Sequence, residues 1–327
     1  MNDVSSEQPQ VDEPLILVCG GDNNFAMPLA VMLYSALANL RPDIPVHLYV
    51  LDNGIKEESK EEINRVLRQS SLPPRRLDIY YCLADMSAYR DLKTGDWLNV
   101  STYLRLTMPQ LLPVSCNRAL YIDGDMIVER DLWELWQMPL NDWDILAVRD
   151  YGIGYAAAPM GILPYKELNL EPETPYFNAG IMVVSLNKWR NKKIVPAAFD
   201  YMVRYQDIIS QADQEALNAV VAGNWGEVDL RWNVQIGAVQ AFHTIPDSSH
   251  KQAMQPVVEA LIHEAYVLHY IGGRKPWFAG LTNPTRARFD HYLRRSRWFP
   301  SLKQYQRYRM RWLANNLRLI ARDLRKK

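Results

Sequence analysis

The chain is 327 residues long, 48% hydrophobic and 23% charged, with 37 basic residues balancing 37 acidic ones. That composition excludes a disordered or collagen-like chain and suits one large α/β domain or two smaller ones. No run of about 18 apolar residues exists, which excludes a spanning helix. Cys19, Cys82 and Cys116 are dispersed and lack disulfide or zinc spacing. The N-terminus is neither basic nor apolar, so it does not read as a signal peptide, and a cytoplasmic protein is expected.

Residues 1–14 are polar and read as a disordered tail. Leu15–Cys19 is a continuous apolar run, as in a strand buried on both faces. Gly20 to Phe25 reads as a turn, followed by a helix from about Met27 to Leu40. Val46–Leu51 is a second strand, Ser59–Gln69 a charged amphipathic helix and Asp78–Cys82 a third strand. This β-α-β-α-β opening argues for a mostly parallel sheet with flanking helices. In such sheets ligands bind beyond the carboxyl ends of the strands.

Thr102–Gln110 reads as a short helix ended by Pro109 and Pro113. Ala119–Ile122 is an apolar run that stops at Asp123-Gly124-Asp125 and resumes at Met126–Val128. Leu132–Trp136 is helical, Trp143–Val148 a strand, and Gly152–Pro175 a long loop of the kind that covers a site. Ile181–Ser185 is a strand, Pro196–Val203 and Gln211–Ala222 are helices, and Val267–Tyr270 is a late strand before Gly272-Gly273. From Arg286 onward fourteen Lys and Arg face two Asp. A helix over 301–326 places Leu302, Tyr305, Trp312, Leu313, Leu317, Ile320 and Leu324 opposite Arg307, Arg311, Arg318, Arg322 and Arg325. This pattern fits either a helix packed on its own domain or one that meets an anionic membrane surface; nucleic acid is the weaker option, since no motif for it exists upstream.

Three stretches carry chemistry. Asp123 and Asp125 point to the same side of an extended backbone, and Gly124 keeps that backbone thin. They are either the acidic end of a strand or ligands of a hard cation such as Mg²⁺ or Mn²⁺. The Gly20–Phe25 turn has backbone N–H groups that could approach a phosphate, polar Asp22 and Asn24, and an aromatic Phe25; it matches no P-loop or dinucleotide fingerprint. His269-Tyr270-Ile271-Gly272-Gly273-Arg274-Lys275-Pro276-Trp277 combines an imidazole, a glycine turn and cations suited to a diphosphate.

These stretches, in this order, together with Ser101–Leu106, Tyr176–Gly180 and Asp213-Gln214, resemble glycosyltransferase family 8 from about Leu15 to Trp277. The pattern is most similar to the bacterial lipopolysaccharide galactosyltransferases and more distantly to glycogenin. The resemblance implies a GT-A-type α/β fold over 15–284; the basic amphipathic pattern follows it as a helical extension over 285–327. It implies a retaining, Mn²⁺-dependent (or Mg²⁺-dependent) enzyme that moves galactose or glucose from a UDP-sugar to a glycan or lipid-linked acceptor. A protein or soluble acceptor, or nucleotide-sugar binding without turnover, are the other readings. The implied metal ligands are Asp123, Asp125 and His269. Gly20, Asp22, Asn24 and Phe25 would hold uridine, Arg105 would reach the donor sugar, and Gly272 and Lys275 would contact the diphosphate; Gly124, at a position that varies in the family, would adjoin the donor. Asp150, Asn178, Asp213 and Gln214 would line the sugar pocket and carry the chemistry. Phe25 departs from the Tyr common at that position, which keeps the ring and loses a hydroxyl. The implied location is the cytoplasmic face of the membrane, with the basic extension as the peripheral contact.

Overall fold

The structure, a computed structural model, describes residues 13–68, 72–73, 75–92, 100–236, 253, 256–257, 259–273, 275–278 and 285–324. The expected tail up to residue 12, Arg274 and Arg325 lie outside these, as do the side chains of Ile320, Arg322 and Leu324.

The first half alternates as the sequence patterning dictates: β1 (Leu15–Gly21), α1 (Ala26–Asn39), β2 (Val46–Asp52), α2 (Glu57–Leu67) and β3 (Leu77–Leu83). A 3-10 helix over Val100–Thr107 leads into α3 (Met108–Leu111). The helix stops at Leu111, just before Pro113 as expected, but Pro109 does not end it. Pro109 sits in the first turn of α3, where its missing N–H has no intrahelical partner to lose. Next come β4 (Arg118–Ile122), β5 (Met126–Val128), α4 (Leu132–Trp136), β6 (Ile145–Arg149) and β7 (Phe177–Ser185). Then follow α5 (Leu186–Asn191), α6 (Ile194–Arg204), α7 (Ala212–Val221), β8 (Trp225–Glu227), β9 (Val234–Gln235), β10 (Val267–His269), α8 (Arg286–Arg295) and α9 (Leu302–Leu324).

Seven strands form the main sheet in the order β3-β2-β1-β4-β7-β6-β8, and β5-β10-β9 form a second. β3, β2, β1 and β4 are mutually parallel, whereas β7 runs antiparallel to both β4 and β6. The carboxyl ends of β1 and β4 and the amino end of β7 therefore share one edge. Asp123 N donates to Gly180 O there at 2.8 Å. β7 starts at Phe177, four residues before the expected strand, because Asn178 and Phe177 pair with Val148 and Arg149 across an irregularity in β6. An Asn-Ala-Gly run has low strand propensity, so only this pairing makes it extended.

α1 is apolar on every side, and from Leu29 to Leu37 every residue is buried. It also serves the small sheet. Ser35 Oγ accepts from Val128 N at 2.9 Å, and Asn39 Nδ2 donates to Val128 O at 2.9 Å, so the outer edge of β5 is satisfied by a helix. The expected 152–175 loop is an ordered series of turns, closed by a bridge between Tyr155 and Pro175. Among the cysteines, Cys19 is buried and Cys82 and Cys116 are partly so; all three are free.

The C-terminal helices pack on this body. Phe289 of α8 lies against Tyr270 and Trp277, with ring centroids 6.2 and 5.4 Å apart. The single apolar face expected for α9 divides in two. Tyr305 and Trp312 pack inward, whereas Leu302, Met310, Leu313 and Leu317 are exposed. At about 100° per residue these four fall within an arc of about 80°, and Lys303, Arg307, Arg311 and Arg318 lie beside it. No helix among the described residues is long and apolar enough to cross a membrane.

Candidate active site

Asp123 leaves the end of β4, and Asp125 lies two residues on, before β5. His269 ends β10, which pairs antiparallel with β5 through His269 and Met126. The two sheets thus bring residues almost 150 positions apart into one cluster. One ligand atom from each of Asp123, Asp125 and His269 lies within 4.8 Å of the other two. His269 Nε2 is 3.3 Å from Asp125 Oδ1 and 3.9 Å from Asp123 Oδ2. Close approach of the ring depends on Gly180. A Cβ at that position would stand 2.5 Å from His269 Cε1 and 2.7 Å from Met126 Cε.

A chain of hydrogen bonds fixes which imidazole nitrogen faces the carboxylates. Asp150 can only accept. Its Oδ1 takes Gly152 N and Ile153 N at 2.9 and 3.1 Å, and its Oδ2 takes Asn178 Nδ2 and Gln214 Nε2 at 2.9 and 3.1 Å. Asn178 must then turn its Oδ1 the other way, where it accepts from Gly180 N and Asn233 Nδ2 at 3.0 and 2.9 Å. That leaves Asn233 Oδ1 facing His269 Nδ1 at 3.0 Å. Nδ1 therefore donates to Asn233, which leaves Nε2 as the nitrogen that faces Asp125. Asp150, Asn178, Asn233 and His269 are all buried. Gln214 is oriented by the same carboxylate, and its Oε1 accepts from Ala179 N at 3.0 Å.

Arg105 crosses beneath the cluster. Its Nη2 reaches Asp123 Oδ1 at 3.1 Å, its Nε lies 2.9 Å from Asp213 Oδ2, and its Nη1 donates to Ala179 O. Its guanidinium also lies 5.0 Å from the centre of the Tyr121 ring, whose hydroxyl donates to Asp123 Oδ1 at 2.7 Å. Burial opposes the charge on Arg105, but Asp123 and Asp213 outweigh it and hold the proton more tightly than usual. Asp213 is buried, with Oδ1 accepting from Thr102 Oγ1 at 2.7 Å; burial raises its carboxyl despite Arg105. Arg105 and Asp213 therefore brace the cluster and point at each other.

The two carboxylates of the pair differ. Burial raises Asp123, with Arg105 opposing and Asp125 reinforcing the rise. Burial opposes the charge on Asp125 too, yet Lys275 and His269 overcome it and hold that carboxyl well below the usual range. The Lys275 amine contacts Asp125 Oδ2 and donates to Tyr270 O at 2.5 Å. Two carboxylates and an imidazole nitrogen around one point form a donor set that fits a divalent cation, which would relieve the like-charge strain.

The β1 end completes the site. Asp22 Oδ1 accepts from Asn24 N at 2.8 Å and its Oδ2 from Ser101 Oγ at 3.3 Å, while Asn24 is exposed. The Phe25 ring meets Trp277 edge-on at 5.7 Å, and Gly124 sits beside Phe25 and Leu29. Gly272 adopts φ +73°, a left-handed conformation, with nothing within 4 Å of its Cβ position. Gly20 packs against Leu104 and Leu51 within β1. Sequence reasoning had no role for Asn233, which stands in no periodic pattern. Gly180 and Thr102 stand inside the Tyr176–Gly180 and Ser101–Leu106 stretches, and Tyr121 inside the apolar run that ends at Asp123, the one signal that could have found them.

A mixed, mostly parallel sheet with this cluster at the β1/β4 switch point is the GT-A-like α/β fold of sugar-nucleotide transferases. The chain belongs to glycosyltransferase family 8, whose description is "Glycosyl transferase family 8" and whose model matches residues 16–280; it is an enzyme of that family. General stress protein A of Bacillus subtilis (strain 168) is 28% identical over 88% of this chain and 96% of its own length. The lipopolysaccharide 1,2-glucosyltransferase of Escherichia coli (strain K12) is 24% identical over 88% of this chain and 79% of its own. The solved structure of an active-site Gln→Glu mutant of LgtC superposes with a TM-score of 0.69 at 25% identity, covering 85% of this chain and 95% of that one.

Proposed function

We propose that the enzyme transfers a hexose, galactose or glucose, from a UDP-sugar to a hydroxyl of a glycan or lipid-linked acceptor in cell-envelope glycan synthesis, with retention at the anomeric carbon. The observation that carries this reading is the meeting of Asp123, Asp125, His269 and Lys275 at the edge that also holds Phe25 and Gln214. The catalytic unit would be 15–284, with 285–327 as its helical extension. The similarity to a lipopolysaccharide glucosyltransferase and to the galactosyltransferase LgtC supports the hexose and the glycan acceptor.

Asp123, Asp125 and His269 would hold Mn²⁺ or Mg²⁺, which when bound supplies Lewis-acid stabilisation of charge on a departing diphosphate. Lys275 brings a further positive charge to the same place. The open left-handed turn at Gly272 lets backbone approach the phosphates, and Gly124 thins the chain beside them. Asp22, Asn24 and the Phe25 ring offer hydrogen bonds and a stacking face to uridine, with Gly20 setting the depth of that end of β1. Retention ordinarily calls for a carboxylate nucleophile near the sugar. The group here is the amide of Gln214, a poor nucleophile, so attack by the acceptor hydroxyl on the same face of an ion-pair-like sugar fits better. Gln214 Oε1 stabilises the developing positive charge, and the departing phosphate oxygen takes the acceptor's proton. Asn178 has both lone pairs of its oxygen committed, so it acts by positioning, as do Asp150, Asp213 and Arg105.

The exposed aliphatic stripe of α9, flanked by Lys303, Arg307, Arg311 and Arg318, suits an anionic membrane surface where a lipid-linked acceptor is held. A screen of UDP-sugars, reading UDP release in Mn²⁺ and in chelator, tests the reading. One UDP-hexose should be hydrolysed in Mn²⁺ and spared in chelator. No UDP release from any UDP-hexose would overturn it.

A further inference from the structure

The C-terminal helix is fastened to the main chain of the loop that carries Lys275. Trp312 Nε1 donates to Pro276 O at 2.9 Å. The Tyr308 hydroxyl reaches Trp277 O at 3.5 Å. Asn315 Nδ2 and Asn316 Nδ2 donate to Phe278 O at 2.9 and 3.3 Å. Three consecutive carbonyls, outside any strand or helix, thus find their donors on one helix more than thirty residues later. Ordinary packing of a terminal helix joins side chain to side chain. Here the side chains grip the backbone.

Two donor-site groups hang on that segment. Lys275 immediately precedes it, and the Trp277 ring within it forms the wall against Phe25. Trp312 is itself held firmly. It is 5% exposed, and the Arg286 guanidinium lies 3.3 Å from the centre of its ring. Arg286 and Arg309 then share Asp290, at 2.9 and 2.5 Å. This network makes α9 a strut of the donor site and not a detachable appendage.

We propose that Trp312 is a positioning residue of the transfer reaction: its indole N–H, with Asn315 and Asn316, fixes the 276–278 backbone and so places Lys275 and Trp277 for the nucleotide diphosphate. The inference rests on the reading that a UDP-sugar is bound there by Lys275 and Phe25. It adds that the helical extension contributes to donor affinity as well as to any surface contact.

The test uses the full chain. Trp312→Phe keeps an aromatic ring under Arg286 and removes the N–H. Losing one such hydrogen bond predicts a rise of about fivefold in donor KM and in the Kd for UDP by calorimetry, with kcat and acceptor KM within about twofold. Trp189→Phe in α5, which follows the far end of β7, is the control for general destabilisation and should leave donor KM unchanged. Asn315→Ala, at a half-buried donor to the same loop, should raise donor KM in the same direction should Trp312→Phe fail to fold. Unchanged donor KM in both loop-facing variants, or an equal rise in Trp189→Phe, overturns the proposal while leaving the UDP-sugar reading intact. Failure of the wild type to bind UDP overturns both.

Discussion

His269 Nδ1 lies 3.0 Å from Asn233 Oδ1, and this contact presents Nε2 to Asp125. Partners of this kind set the tautomer and basicity of metal-binding imidazoles, and their loss costs about 10–100-fold in metal affinity. Asn233→Leu should therefore raise the Mn²⁺ concentration for half-maximal donor hydrolysis by about that factor, with UDP-sugar KM at saturating Mn²⁺ little changed. A Mn²⁺ titration identical to wild type would remove Asn233 from the argument.

Gly180 is required by space and not by backbone conformation. A methyl there meets His269 Cε1 at 2.5 Å and Met126 Cε at 2.7 Å, so ring or strand must shift. Overpacking of this kind costs about 1–3 kcal/mol. Gly180→Ala should lower the melting temperature and also raise the Mn²⁺ concentration for half-maximal donor hydrolysis, because the displaced ring no longer faces Asp125. Normal Mn²⁺ dependence with a normal melting temperature would show that the site tolerates the methyl.

The exposed stripe of α9 makes a separate prediction. Leu313→Asp with Leu317→Asp should abolish co-sedimentation with anionic vesicles and leave hydrolysis of the donor in solution within about twofold, since neither residue faces the Pro276–Phe278 segment. Equal vesicle binding by this variant and wild type would refute a membrane role for that face.

Glu215 gives a pH prediction away from the site. Burial raises its carboxyl above the ordinary 4.5, although Ser210 N, at 2.8 Å, and the Tyr201 hydroxyl, also at 2.8 Å, oppose the rise. The folded state then holds this proton more tightly than the unfolded chain. The resulting stability is complete below pH 4.5 and is lost as pH climbs through the raised value. Glu215→Gln keeps an acceptor for the loop amides and a donor for Tyr201. Its stability should fall less than that of wild type over that interval, as read from denaturant midpoints; parallel pH profiles would contradict the assignment.

Local patterning determined much of this protein. The alternation of apolar runs and amphipathic stretches from Leu15 to Leu83 dictated parallel strands and flanking helices, because burial on both faces of a sheet demands such runs. The stop of an apolar strand at Asp123-Gly124-Asp125, and the His269–Trp277 stretch, marked the candidate chemistry from residue type alone, because carboxylates and cations at strand ends are costly without a partner. What only the tertiary structure decided depends on groups that no local signal connects. The antiparallel entry of β7 made Asn178–Gly180 a strand and set Gly180 under the imidazole. The polarity imposed by Asp150 passed through Asn178 and Asn233 to the His269 tautomer, a relay built from four separate elements. The aromatic and aliphatic residues of α9, one apolar class in the sequence, were sorted onto two faces because only one could meet Pro276–Phe278. Periodicity records which residues share a face; which face finds a partner is fixed by packing in three dimensions.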